Sequence, residues 1–249
     1  MNHSPFLSVK DVSNIYLSLK LGIFGKIKKK RILNHINLEL HKGEIFGLTG
    51  KSGCGKTTLA RCILGLIDYE VEILLDGEKY NKKTCHIQII FQQPGSSLNP
   101  IKKIGWLLEE PLVIHKKKIS LQSTNSEPQR DDTSNTAPSA LRSQKVDDML
   151  VRVGLDPSYK SRYVHELSGG QKQRICIARS LLLEPRLLIA DEAISSLDVS
   201  AGAQILNLFR ELHSNLGLSI LFISHNRDAV EYLCGRVAVM ERGKDLKLL

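Results

Sequence analysis

The chain has 249 residues, 42% of them apolar, and a formal net charge of +9. That length buries a sizeable core in one domain, or in one domain with a subdomain, and every apolar run is strand-length, short of the roughly 20 residues that span a bilayer. No basic region with an apolar secretory core opens the chain, so the expected compartment is the cytosol. The positive charge suits an anionic membrane surface, a nucleic acid or phosphate ligands, and does not choose among them.

The first elements alternate. Leu7-Ser8-Val9-Lys10 and Ile32 through Leu40 place apolar residues at every second position, as half-exposed antiparallel strands do. Between them Gly22 through Arg31 reads as a basic loop, either solvated or facing lipid headgroups. Ile45-Phe46-Gly47-Leu48 is a short apolar strand, and Thr57 to Leu66 carries helical spacing behind it. Residues 119–145 are dominated by Ser, Thr, Asn, Gln, Asp and Pro, which predicts a flexible insertion, because such a stretch cannot bury enough surface to offset its ordering entropy. Helical spacing resumes at Val146-Asp147-Asp148-Met149-Leu150-Val151. Leu187 to Ala190 and Ile220 to Ile223 are unbroken apolar runs, as parallel strands buried on both faces require, with helical patterns from about Ala201 to Leu212 and Arg227 to Leu233. The expected core is therefore α/β with a parallel sheet, within one domain of 1–249. Cys54, Cys62, Cys85, Cys176 and Cys234 lack CxxC or zinc-like spacing and read as free thiols rather than disulfides or a metal site.

Three short stretches carry chemistry. Gly50-Lys51-Ser52-Gly53-Cys54-Gly55-Lys56-Thr57-Thr58 matches G-x-x-x-x-G-K-[ST] between a strand and a helix. The glycines let several N–H groups converge on phosphate oxygens at the positive end of the helix, Lys56 should bridge β- and γ-phosphates, and the Thr57 hydroxyl should ligate Mg²⁺. Asp191 and Glu192 end the buried strand from Leu187: Asp191 is placed to hold Mg²⁺ through water and Glu192 to polarise a water attacking the γ-phosphate. Leu167-Ser168-Gly169-Gly170-Gln171 supplies a hydroxyl and two glycine N–H groups at the start of the helical run to Leu183, a second anion-binding helix end. Average residue frequencies give the loop pattern by chance in about one chain in a hundred and the five-residue stretch in about one in a few thousand. Their joint occurrence is no accident.

These motifs, in this order, resemble the ATP-binding subunits of ABC transporters from about Leu7 to Gly243. The resemblance implies an α/β P-loop NTPase fold, with a parallel-sheet core, an N-terminal antiparallel β subdomain and a helical subdomain over about residues 95–180. It implies ATP and Mg²⁺ as ligands, and a second nucleotide-binding domain, identical or related, packed head to tail so that the signature at Ser168 to Gln171 closes over the partner's γ-phosphate. It implies transmembrane permease subunits and, indirectly, an extracytoplasmic substrate-binding protein, with the chain peripheral at the cytoplasmic face of the membrane. By the same resemblance Gln92, in Phe91-Gln92-Gln93-Pro94, senses Mg²⁺ and the attacking water, with Gln93 a close alternative; Asp198 belongs to the loop facing the opposing site; and His225 is the γ-phosphate switch. Tyr16 is the candidate for the ring that stacks on adenine, with an ordinary strand-end tyrosine as the alternative.

The stretch Phe91 to Pro100, and Leu197 to Leu208, resemble the peptide and nickel branch of importers. Ala193 in place of proline after the acidic pair, and a chain that stops at Leu249, tilt the expectation toward nickel or another metal complex. Asn226 stands where the family usually has aspartate. The run Ile104 to Val113 with Trp106 is expected either to receive a membrane subunit or to be core of the helical subdomain. The rival reading, a soluble ABC ATPase acting on nucleic acid or ribosomes, suits the charge, but such relatives carry a coiled coil or tandem ATPase domains for which 249 residues leave no room. No nucleic acid is expected, and a P-loop kinase or GTPase would lack the signature and His225.

Overall fold

The computed structural model describes residues 5–18, 28–67, 70–80, 86–115, 136–241 and 246–249. The chain divides into two compact units, Met1–Gln92 with Pro185–Leu249, and Gln93–Glu184.

The first unit holds two sheets. Strands β1 (Leu7–Ser18), β2 (Lys28–Leu40), β4 (Glu70–Leu75) and β5 (Glu78–Lys79) form an antiparallel sheet in the order β2-β1-β4-β5. Strand β2 shows why: Ile36, Leu38 and Leu40 are buried while Asn37 and Glu39 are exposed, the period-two pattern of a sheet with one wet face. The alternation is broken at Asp11 and His35, both in the left-handed region at φ 54° and 52°, where the pairing shifts register. The N–H groups freed by this bulge find side chains: Asp11 N donates to Asn37 Oδ1 at 2.9 Å and His35 N to Ser13 Oγ at 3.1 Å. Lys28 to Arg31, read from sequence as part of a basic loop, belong to β2; the rest of that loop lies outside the described residues.

The second sheet runs β10 (Lys247–Leu248), β9 (Arg236–Val239), β3 (Ile45–Thr49), β8 (Ser219–Ile223), β7 (Leu187–Asp191), β6 (Ile87–Ile90). Strands β3, β6, β7, β8 and β9 are parallel, in the pairs β9-β3, β3-β8, β8-β7 and β7-β6, and β10 is antiparallel at the edge. All five residues of β7 and of β8 are buried, which is why both runs are apolar without alternation. Helices α1 (Lys56–Ile63), α6 (Val199–Leu216) and α7 (Arg227–Leu233) belong to this unit. Phe209 of α6 meets Phe222 of β8 edge to face, 6.1 Å between centroids. Helix α7 lies so close to β3 that a Cβ on Gly47 would come within 2.8 Å of Val230 Cγ1.

The second unit contains α2 (Pro94–Ser97), α3 (Ile104–Ile114), α4 (Thr136–Arg152), two 3₁₀ turns at Pro157–Ser161 and Val164–Glu166, and α5 (Gly169–Leu181). Ile104, Leu107, Leu108, Leu112, Val146, Leu150 and Ile177 are buried on α3, α4 and α5, and Glu110 of α3 pairs with Arg179 of α5 at 2.6 Å. Helix α4 corrects the expected insertion at 119–145, since residues 136–145 are helical. Ala140, Leu141 and Lys145 favour helix intrinsically, and the buried stripe from Val146 to Leu150 anchors the segment behind them, so low hydrophobicity alone did not predict disorder. Residues 119–135 lie outside the described residues.

Phe222 is fully buried between sheet and helix, so Phe222→Ala should cost about 3–5 kcal/mol, read as a lowered urea midpoint without change in slope.

Candidate active site

The parallel strands end at one edge of the sheet, and the loops leaving them carry the chemistry. Strand β3 runs into the loop from Gly50 to Gly55, whose glycines 50, 53 and 55 have φ of 151°, 76° and 119°. Gly50 also passes close to β9's end: a Cβ there would lie 2.3 Å from the Met240 carbonyl oxygen, so no other residue fits. Gly55, at the N-cap of α1, offers no side-chain cap, which leaves the first N–H groups of the helix free to face an anion. Lys51, Ser52 and Gly53 are exposed, Cys54 is buried, and Thr57 and Thr58 are half-buried. Lys56 is buried, and its ammonium donates to the carbonyls of Gly50 at 2.7 Å and Lys51 at 3.3 Å.

A cleft of about 610 Å³ opens over this loop, lined by Ser52, Gly53, Gly55, Lys56, Thr57 and Thr58 together with Gln92, Glu192, His225 and Ile32. Glu192 leaves β7 at φ 54°, a strained conformation for a non-glycine residue that is held by three bonds. Its N–H donates to Ile223 O at 2.9 Å, and its carbonyl accepts from Ser195 N at 3.1 Å and Ser195 Oγ at 2.9 Å. Its side chain reaches His225, in the loop after β8, with Oε2 2.7 Å from Nδ1. A carboxylate only accepts, so the proton in that bond belongs to the imidazole, and Nε2 faces away from Glu192.

Asp191 accepts a hydrogen bond from the Thr57 side chain, yet its Oδ1 is buried with no hydrogen-bond partner. Burial pushes its carboxyl above the usual range and the Glu192 charge adds to this, against the opposing pull of Thr57, Arg61 and Lys56. Gln92 is exposed at the cleft, and the chain passes into the second unit immediately after it; Gln93 is the N-cap of α2 in that unit.

The signature starts α5 within the second unit. Ser168 and Gln171 form a reciprocal cap: Ser168 Oγ accepts from Gln171 N at 3.3 Å, and Gln171 Oε1 accepts from Ser168 N at 3.0 Å. The serine hydroxyl accepts in this bond and keeps its own proton to donate elsewhere, while Gly169 N–H and Gly170 N–H have no side-chain cap. Asp198 is exposed and caps α6 by accepting from Ala201 N at 2.8 Å, and Asn226 caps α7 by accepting from Ala229 N at 3.1 Å, which explains how asparagine can replace aspartate there. Tyr16 sits on β1 opposite Lys30, and its side chain lies outside the described residues. Ile32, which lines the cleft, and Arg61, which acts on Asp191, had no sequence motif to reveal them; both are placed by tertiary packing.

A phosphate-cradling loop, a buried strand-end carboxylate pair and a histidine-held glutamate around one cleft define a P-loop ATPase. The model of the ABC transporter family matches residues 33–195. Two relatives are the oligopeptide transport ATP-binding protein AppF of Bacillus subtilis, 39% identical over 258 residues, covering 99% of this chain and 72% of AppF, and the dipeptide transport ATP-binding protein DppF of Escherichia coli, 39% identical over 249 residues, covering 96% and 69%. Among solved structures, CbiO1 of Clostridium perfringens, part of the ABC transporter complex CbiONQ, superposes with a TM-score of 0.75 at 26% identity, covering 99% of this chain and 88% of CbiO1. The chain belongs to the ABC transporter family, binds ATP and is an ATPase.

Lys56→Ala removes the buried ammonium bound to the loop's carbonyls and should weaken nucleotide binding at least tenfold, measured by calorimetry with a slowly hydrolysed ATP analogue. Because the substituted lysine is locally held by backbone carbonyls, the thermal midpoint should shift far less than the affinity.

Proposed function

We propose that the chain is the ATP-driven motor subunit of a peptide importer, docked on permease subunits at the cytoplasmic face and closing over ATP with a second nucleotide-binding domain. The observation that carries this reading is the convergence of Lys56, Thr57, Gln92, Glu192 and His225 on one cleft. The loop N–H groups and Lys56 hold the phosphates. Asp191 Oδ1, buried and unpartnered beside the Thr57 hydroxyl, fits a hard divalent cation, and Thr57 and Asp191 would hold Mg²⁺, which would supply charge neutralisation for the phosphates. Glu192 takes the proton of the attacking water, His225 keeps its carboxylate turned into the cleft, and Gln92 orients the water from the cleft's edge. Ser168 O–H and the N–H groups of Gly169 and Gly170 form a second phosphate-binding end, and a partner subunit's ATP gives it an occupant. The two relatives named above serve oligopeptide and dipeptide transport, which favours peptides over the expected nickel as cargo.

The second unit offers a surface for the permease. Ile101, Trp106, Val113 and Ile114 are 80%, 46%, 55% and 65% exposed, a concentration of large apolar side chains on and just before α3. Trp106 is therefore not core; Lys102 extends over its ring at 4.9 Å. Glu110, by contrast, is committed to Arg179, and replacing it would disturb the unit itself.

Glu192→Gln should leave ATP affinity within twofold while lowering turnover at least about a hundredfold, and cells carrying it should lose uptake of labelled di- and oligopeptides but keep nickel uptake. Wild-type turnover in the purified variant would refute the role of Glu192, and loss of nickel uptake alone would refute the cargo.

Ile101→Asp combined with Trp106→Asp should preserve the ATP affinity of the isolated subunit and abolish its co-purification with membrane proteins, since both side chains are already exposed and leave no cavity. Retained co-purification would place the permease elsewhere.

A further inference from the structure

Gln171 is bound at both ends of its side chain. Its Oε1 accepts from Ser168 N, and its Nε2 donates to the phenolic oxygen of Tyr159 at 2.9 Å. Because the backbone N–H can only donate, the amide orientation is fixed, and Tyr159 must receive the Nε2 proton. No part of the motif requires this tyrosine, which lies twelve residues from the glutamine it holds.

Tyr159 itself is firmly placed. It lies in the 3₁₀ turn Pro157–Ser161, capped by Asp156, whose carboxylate is held below the usual range first by a hydrogen bond from the Ser158 side chain and then by the one it accepts from Ser158 N at 2.8 Å. The Arg162 guanidinium stacks 3.9 Å from the Tyr159 ring. The turn is fastened to α4 by Lys160, which reaches Asp147 at 2.6 Å and Ser143 at 3.0 Å. It is fastened to α3 by Ile104 N, which donates to Arg162 O at 2.9 Å, and by the pairing of Lys103 with Tyr163. Close packing completes the attachment: a Cβ on Gly105 of α3 would lie 3.2 Å from Lys160 Cβ. The turn is thus part of the same body as the start of α3, where Lys102 and Trp106 form the exposed surface described above.

We propose that Tyr159 is a positioning residue for the signature: through Gln171 it fixes the reciprocal cap, so that the Ser168 hydroxyl keeps its proton directed outward to phosphate, and it links that orientation to the start of α3. This rests on the signature acting on a partner subunit's ATP. Losing the phenolic oxygen frees one end of the Gln171 amide, and the Ser168 N–H then competes with water for an unanchored acceptor. The ring, its stacking on Arg162 and the turn all survive in Tyr159→Phe, so the variant isolates one hydrogen bond.

The test uses the complex purified with its membrane subunits. Tyr159→Phe should lower kcat about fivefold, the scale of one lost hydrogen bond, with KM for ATP and the ATP affinity of the isolated chain within twofold of wild type and an unchanged thermal midpoint. Gln171→Met should lower kcat as well, and the double variant Tyr159→Phe with Gln171→Met should be no slower than Gln171→Met alone, because both act through the same bond. A wild-type kcat in Tyr159→Phe, or additive losses in the double variant, would overturn the role of Tyr159. Ser168→Arg separates this outcome from failure of the underlying reading: if it abolishes turnover while Tyr159→Phe keeps the wild-type kcat, only Tyr159 is refuted, and if it leaves turnover intact, the signature reading falls and takes the role of Tyr159 with it.

Discussion

Parallel pairing of β3, β8, β7 and β6 constrains everything else in the first unit. Parallel strands share a direction, so their carboxyl ends meet at one edge, and the residues that follow them are brought together although they are far apart in sequence. The phosphate loop follows β3, Glu192 follows β7, His225 follows β8 and Gln92 follows β6. A sheet buried on both faces is also stiff. That stiffness lets Glu192 persist in a left-handed conformation and lets a single 2.7 Å bond to His225 fix its carboxylate.

Close packing at the loop acts in the same direction. Met240 presses against Gly50 and Gly55 from β9's end, so the cradle cannot widen without disturbing the sheet's edge. Only glycine fits at position 50, so the start of the loop keeps its close approach to Met240, and N–H groups held in place in this way bind an anion with little reorganisation.

Much of this was legible in the sequence because it depends on local rules. Unbroken apolar runs gave β7 and β8, and the glycine spacing gave the cradle, since both reflect requirements met within a few residues. What escaped depends on distant partners. The bulge at Asp11 and His35 is satisfied by Asn37 and Ser13 across the strand pair, the contact of Gly50 with Met240 joins residues far apart in sequence, and Tyr159 is ordinary until folding brings it to Gln171. The start of α4 escaped for another reason: composition averaged over 119–145 concealed a change from turn formers to helix formers near Thr136.

Strands β6 and β7 are adjacent and parallel, and the link between them is the whole second unit, Gln93–Glu184. Parallel neighbours always need a crossover of a dozen or more residues, and in most sheets one helix suffices. Here the obligatory detour has grown into a body with its own core, bounded at either end by fixed strands. Substitutions or insertions inside it, away from the Ser168–Gln171 stretch and Tyr159, leave the pairing of β6 with β7, and the strand ends that depend on it, untouched. A lineage can therefore remodel the exposed face of this crossover while inheriting its ATP chemistry unchanged, which makes the detour the natural site of diversification in such an ATPase.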